Sequence, residues 1–415
     1  MQSYTTCRHP SIKKRGIISN PSAMLSAMHT RLFPKLKARY TVLIYMVGSD
    51  LETNYEMASG DIREMMEVGS SWGIHIVLQT GGAKKWGLDF IPSDRKCRWL
   101  VQRGHLQLLQ ETGNANMDMA ETLGDFITWG IQQYPAENYV LILWGHGLGP
   151  IDGFGGDELH GNHKMKLVTL QNALQRAYQV TQTTFRIIGF DACNMAGLEI
   201  VYALRHYAEY LVASVDYTNH NGWDYKTIIE SLRQMPALTA SKLGEIIVNS
   251  YRLHSREHGE LQDLQQGVIR LDKAERIVHA LEAWSQVLLE RIASEDSFDL
   301  MRHDRTRCED YAEETDMVDL VDLSGHFGRS FGCMQETHTI QEAIEDAVIY
   351  HMKTPEHPKA KGISIYFPKQ DQERFIEKSM IYQHHDFSVS YKKLIDLYSL
   401  IMIKKDYNGI YHHMK

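Results

Sequence analysis

Two short runs carry residue types that could do covalent chemistry. Leu141-Ile-Leu-Trp-Gly-His-Gly147 is an apolar stretch that stops at a histidine between two glycines. Ile187-Ile-Gly-Phe-Asp-Ala-Cys-Asn194 is a second apolar stretch, ending in an aspartate and a cysteine. Cysteine attacks as the thiolate, and histidine is the side chain best suited to take and return a proton near neutral pH. Cys193 as nucleophile and His146 as acid–base partner would form the covalent pair of an acyl-transfer reaction. Flanking glycines let a substrate backbone approach closely, and the amides of Gly147 and Cys193 could hold an oxyanion. A helix expected from about Ala196 would put Cys193 just before its N-terminus, where a thiol pKa is lowered. Taken singly, a cysteine is more often a small buried hydrophobe, and a lone histidine at a strand end is usually structural. Their placement at the ends of two similar runs lifts the pair above those readings.

The elements that must position this pair can be read from the apolar pattern. Tyr40–Met46, Ile74–Leu78, Tyr139–Leu143, Arg186–Phe190 and Leu211–Ala213 are β-rich runs suited to strands buried on both faces. Helical patterns lie between them. Asp118 and Glu121 have capping-box spacing before Leu123, Phe126, Ile127 and Ile131. Leu167, Leu170, Leu174 and Ala177 form a second apolar face, and Leu243, Ile246 and Ile247 a third. Strands alternating with helices predict an α/β fold, a mainly parallel sheet with helices on both faces. Ligands of such sheets bind beyond the carboxyl ends of the strands, so neighbouring strands would bring His146 and Cys193 into one crevice. After about residue 262 the texture changes to a strand at Gly267–Leu271, a helix through Trp284, a polar stretch at 293–316 and a late strand at Ile363–Phe367. The expected organisation is a basic, disordered segment at 1–39, a catalytic domain at 40–262 and a C-terminal α+β subdomain at 263–415.

Composition narrows the classes of function. The chain has 415 residues and a net charge of −8. Residues 1–39 contribute eight basic side chains and no acidic one, so the rest carries −16. An acidic body argues against nucleic acid and suits basic partners. No apolar run is long enough for a bilayer span. No secretory signal is recognisable, which points to the cytoplasm, with secretion or the cell envelope as the alternative. Five irregularly spaced cysteines do not form a disulfide framework or a CxxC pair. Cys97, Cys308 and Cys333 are expected to be inert. His384-His385 and His412-His413 lack zinc-motif spacing, so no metal is expected, and Gly81-Gly82 reads as a turn.

Trp144-Gly-His-Gly147 followed by Asp191-Ala-Cys-Asn-Met195 resembles the His and Cys motifs of the clostripain family of peptidases, relatives of caspases, legumain and gingipains. Further stretches extend the resemblance across roughly residues 40–400: Tyr45-Met46 with Asp50-Leu-Glu52, Asn116-Met117 with Glu121–Trp129, Gly222-Trp-Asp-Tyr225, Asp319–Leu323, Gly362–Pro368 and Asp386-Phe-Ser388. It implies a caspase-like core and a cysteine endopeptidase that cuts protein or peptide substrates after Arg or Lys; a monomer is expected. It also implies an acidic floor to the P1 pocket, for which Asp191 falls on the motif position and Asp224 is a second candidate. A carboxylate there would pair with a basic side chain; Asp224 reads equally well as a loop cap. No cofactor is required, with calcium an optional activator. Relatives cut themselves between the His and Cys strands, which makes Lys164 and Lys166 the candidate self-cleavage sites. Leu148-Gly149-Pro150 and Asp216–Asn221 depart from the family pattern and bear on P1 preference and calcium. The alternatives are a silent peptidase-like module that binds basic peptides, a caspase-clan peptidase with another P1 choice, and a metal-dependent hydrolase using Asp191, Cys193 and His146 as ligands.

Overall fold

A computed structural model of the chain describes residues 37–369 and 374–413. Residues 1–36, which make up most of the basic segment, lie outside it. The strands are β1 (Ala38–Val47), β2 (Ile74–Gly81), β3 (Cys97–Gln102), β4 (His105–Glu111), β5 (Ala136–Trp144), β6 (Phe185–Asp191), β7 (Ala208–Ala213), β8 (Gln265–Arg270), β9 (Asp310–Tyr311), β10 (Met317–Asp319), β11 (Val348–Lys353) and β12 (Ser364–Tyr366). Nine of them form one sheet in the order β11-β8-β7-β6-β5-β1-β2-β3-β4. The central strands β7, β6, β5, β1 and β2 are parallel, and antiparallel strands extend both edges.

The apolar runs became central strands because both of their faces are covered. Along β1, Leu43, Tyr45 and Val47 enter one core while Tyr40, Val42, Ile44 and Met46 enter the other, as the two-residue side-chain period requires. The helices Ala120–Gln133, Leu167–Thr181, Leu198–Leu204 and Ala274–Arg291 pack into the first core; Met57–Val68, Tyr225–Gln234 and Ala240–Glu257 pack into the second. The expected apolar face of Leu167, Leu170, Leu174 and Ala177 is buried. Asp118 does not cap its helix, which starts at Ala120 without a side-chain cap. Its carboxylate instead accepts the amides of Gly156 (2.9 Å) and Asp157 (2.8 Å), tying down a loop of the site described below.

Residues beyond 262 do two things. They add β8 and β11 to the large sheet, with β8 hydrogen-bonded to β7. They also build a three-stranded sheet, β12-β10-β9, which is bridged to the main body through Gly197 and Ser364. The described residues from Ala38 onward form one compact unit. Among the described residues, no helix is long and apolar enough to cross a membrane.

The strand order has a reversal. Chain after β1 goes to β2 on one side, whereas β5, β6 and β7 fill in on the other. The crevice of an open α/β sheet lies at such a switch point, outside the carboxyl ends. Here that means beyond the ends of β1 and β5.

Candidate active site

Register places the two chemical runs level. Trp144 of β5 pairs with Asp191 of β6 and with Met46 of β1. His146 lies two residues past Trp144, and Cys193 two past Asp191, so both leave the sheet at the same height. Gly145, between Trp144 and His146, has φ +147, a conformation that side chains disfavour. At Gly147 any Cβ would run into the Cys193 carbonyl oxygen. The histidine loop and the cysteine turn are thus in backbone contact, and only glycine fits.

The cysteine turn is clamped from the next strand. Asn194 takes a left-handed φ of 58, its amide donates to Asp216 O (3.0 Å), and the Ala196 amide donates to Ser214 O (2.9 Å). Asparagine adopts this conformation more readily than most residues. The following helix begins at Leu198, capped by Gly197, later than the expected start near Ala196. Cys193 therefore does not sit at a helix N-terminus, and nothing of that kind lowers its thiol. Burial pushes the Cys193 thiol up, against hydrogen bonds from Thr218 that pull it down, and Asp216 and Asp191 add to the rise. The sulfur receives the Thr218 amide at 3.2 Å and lies 3.4 Å from Thr218 Oγ1. Its hydrogen-bond partner among the described residues is Thr218, not His146.

His146 is oriented from the neighbouring strand. Asp50 follows β1 closely, and its Oδ1 lies 2.8 Å from His146 Nε2. Burial works to raise the Asp50 carboxyl, but the hydrogen bond and charge of His146, with smaller help from its own backbone and Ser49, outweigh it and hold it below its ordinary range. With Nε2 engaged there, Nδ1 is the nitrogen left for chemistry. Asp50 was not singled out as a site residue from sequence; the legible signal was an acidic residue just beyond a central strand, at the same end as His146.

Below the pair is an acidic floor. A cavity of about 580 Å³ is lined by His146, Gly147, Cys193, Asp191, Asp61 and Lys164, among others. Asp191 is buried; its Oδ2 accepts the Trp223 amide (3.2 Å) and the Tyr225 hydroxyl (3.0 Å). Asp61, also buried, accepts Trp144 Nε1 at 2.6 Å. The two carboxylates converge on Gly222, whose Cβ would stand 3.1 Å from one and 3.3 Å from the other. Neither has a Lys or Arg ion-pair partner among the described residues. Burial pushes Asp191 up to about 6, partly offset by the Trp223 and Tyr225 hydrogen bonds. Asp61 is pushed much further, by burial first and then by the charges of Asp191 and Glu64. The two buried carboxyls therefore titrate as a coupled pair, both raised above the ordinary carboxylate range by burial. Asp61 was missed in the sequence, although a carboxylate between Ala58, Ile62 and Met65 on an apolar helix face marks a buried acid.

A sequence model of the Clostripain family matches residues 44–413. The chain belongs to the clostripain family. These are cysteine peptidases of the C11 group. No curated protein sequence matches the chain closely enough to count as a relative. Solved structures do. A secreted C11 cysteine protease from Bacteroides thetaiotaomicron, in complex with an irreversible peptide inhibitor, superposes with a TM-score of 0.63 at 19% identity, covering 84% of this chain and 99% of that one. An inactive zymogen C11 protease from Parabacteroides distasonis gives 0.64 at 20% identity, covering 85% and 97%. The likeness is one of fold, and it agrees with the expected caspase-like α/β architecture.

The other expected clostripain-type site residues separate. Asp224 does not line the cavity: it is the N-cap of the helix Tyr225–Gln234, with its side chain accepting the Thr227 amide at 2.8 Å. A carboxylate two residues before Lys226-Thr227 satisfies an orphan helix amide, and that use faces it away from the pocket. Lys164 lines the cavity, whereas Lys166 donates to the carbonyls of Ile151 (3.1 Å) and Asp152 (3.2 Å) outside it. The amides of Gly147 and Cys193 have no hydrogen-bond acceptor within the chain among the described residues. Calcium takes six to eight oxygen ligands. The two side-chain groups that could hold a metal among the described residues, Cys308 with Asp322 and His326, and Glu64 with Asp224 and His254, each include a sulfur or nitrogen ligand. Neither suits calcium.

Proposed function

We propose that this chain is a cysteine endopeptidase that cuts after arginine or lysine, with Cys193 as nucleophile and His146 as general base and acid. The observation that carries the reading is the unpaired acidic floor of Asp191 and Asp61 opening on the same cavity as the thiol and the imidazole. A P1 cation seated on Asp191 would hold the scissile carbonyl over Cys193, its oxygen facing the amides of Gly147 and Cys193. His146, held through Nε2 by Asp50, takes the thiol proton as sulfur bonds to the carbonyl carbon. The tetrahedral intermediate collapses when that proton passes to the leaving amine, which departs with the C–N bond. Water, deprotonated by His146, then attacks the acyl-enzyme; the C–S bond breaks and the proton returns to sulfur. Because burial raises the free thiol, its ionisation is coupled to substrate engagement and not preformed.

Chemistry carried entirely by these groups predicts activity that survives a chelator and is lost to iodoacetamide. Peptide mapping should find a carbamidomethyl group on Cys193 accompanying the loss. Activity removed by chelator and untouched by alkylation would favour the metal-dependent alternative.

Self-activation is the finer part of the same proposal. Lys164 lines the cavity, and the loop that carries it is pinned by Asp118 and by the pairing of Phe154 with Met165. Lys166 is turned away on two carbonyls, so Lys164 is the preferred site of the two. Wild-type protein is expected to appear by intact mass as two fragments divided after Lys164, and a Cys193→Ala variant as one uncut chain. Identical unclipped masses for both would remove self-cleavage from the account.

A further inference from the structure

Three elements that build the floor of the cavity also bring together a carboxylate, a second carboxylate and an imidazole on its outer side. Glu64 lies one turn after Asp61 on the helix Met57–Val68. Asp224 follows Gly222 and Trp223 and precedes Tyr225, which holds Asp191. His254 lies one turn after Tyr251 on the helix Ala240–Glu257, and Tyr251 receives the amide of Asn219, a cavity-lining residue, at 3.1 Å. One ligand atom from each of Glu64, Asp224 and His254 lies within 4.8 Å of the others.

We propose that Glu64, Asp224 and His254 form a binding site for a divalent transition-metal ion of the zinc type, which clamps the three elements beneath the acidic pocket. His254 is 9% exposed, and its ring makes no hydrogen bond among the described residues. Its Nε2 faces Glu64 Oε1 at 3.6 Å, too long for a hydrogen bond. Two ligands held about 2.0–2.1 Å from one tetrahedral ion stand roughly 3.4 Å apart, close to that spacing. Each carboxylate keeps an oxygen free. Glu64 uses Oε2 to accept the Tyr225 amide (3.1 Å), and Asp224 uses Oδ1 to accept the Thr227 amide (2.8 Å). Those bonds fix the orientation of each ligand from behind, as is usual around metal ligands. No Lys or Arg pairs with Glu64 or Asp224 among the described residues, so the cluster lacks a cation. Imidazole with two carboxylates suits zinc, with water in the fourth position.

The test is isothermal titration of zinc chloride into the full chain carrying Cys193→Ala, which removes the thiol that could bind zinc beside His146. One equivalent should bind, and zinc should raise the thermal unfolding midpoint. His254→Gln or Glu64→Gln, added to that background, should each weaken binding at least about 100-fold and abolish the thermal shift; in the second variant the new amide oxygen still accepts the Tyr225 amide. Cys308→Ser should leave both readouts unchanged. The proposal is overturned by no zinc binding, by undiminished affinity in both glutamine variants, or by loss on Cys308→Ser. Since no peptide hydrolysis is measured, the outcome is independent of the proposed function.

Discussion

Exchange of Cys193 for alanine is expected to lower kcat on an arginine peptide by about five orders of magnitude or more, with the chain still folded. The side chain is half-buried, and its polar contacts are all with Thr218, so its removal leaves no cavity in either core. What goes is the sulfur proposed to bond the carbonyl carbon. A His146→Ala exchange should cost nearly as much, because nucleophile and base act as a unit, and the double variant should be little worse than either. Circular dichroism separates this from unfolding, and kcat on one peptide for the three variants measures it. A Cys193→Ala enzyme that retains a tenth of the activity would show that another group attacks.

Exchange of Asp191 for asparagine is the second large effect. Asparagine keeps a carbonyl acceptor for the Trp223 amide and the Tyr225 hydroxyl, so the floor keeps its shape and loses its charge. Truncating one side of a buried charge pair costs about 2–5 kcal/mol, and each 1.4 kcal/mol is tenfold. We therefore expect kcat/KM for an arginine peptide to fall about 10²- to 10³-fold, mostly through KM. The wild-type pH profile carries the same signature. With Asp191 pushed up to about 6 by burial against its hydrogen bonds, the carboxylate is ionised above that value. It is protonated as the pH falls through it, so kcat/KM for basic peptides should drop on the acid side, as expected of a free-enzyme group. In Asp191→Asn this acid limb should vanish, leaving the ionisation of the dyad. A variant with unchanged arginine preference and an unchanged acid limb would place the P1 cation elsewhere.

How much of this was legible in the sequence follows from burial. The runs that became β1, β2, β5, β6 and β7 are covered on both faces, and a strand in that position must be continuously apolar. His146 and Cys193 stood out because glycine and small residues interrupt two such runs at their ends. β4 was missed because it is an edge strand, largely exposed, whose His105–Glu111 sequence mixes leucine with glutamine. β9 and β10 are two and three residues long, too short for a periodic pattern. The boundary expected near residue 262 followed a change in texture, yet β8 and β11 return to the large sheet, a pairing over a chain distance that local pattern does not encode. At the site, Asp191 was readable from its strand, whereas Asp224 could equally be a pocket acid or a helix cap until the Thr227 amide was seen to claim it. Asp50 and Asp61 act through partners 96 and 83 residues away. The expected activation of Cys193 by a helix end failed on a short displacement: Cys193-Asn194 is a turn, Met195-Ala196-Gly197 runs on without helix, and the helix starts at Leu198.

Cleavage by Cys193 after a basic residue seated on Asp191 can be checked with a panel of fluorogenic peptides identical except for Arg, Lys, Asp or Asn at P1, offered to the wild-type chain and to Cys193→Ala. Turnover of the Arg and Lys peptides is expected from the wild type alone, and none of the Asp and Asn peptides from either. Failure of the wild type to cut any basic peptide, or equal cutting by Cys193→Ala, would contradict it.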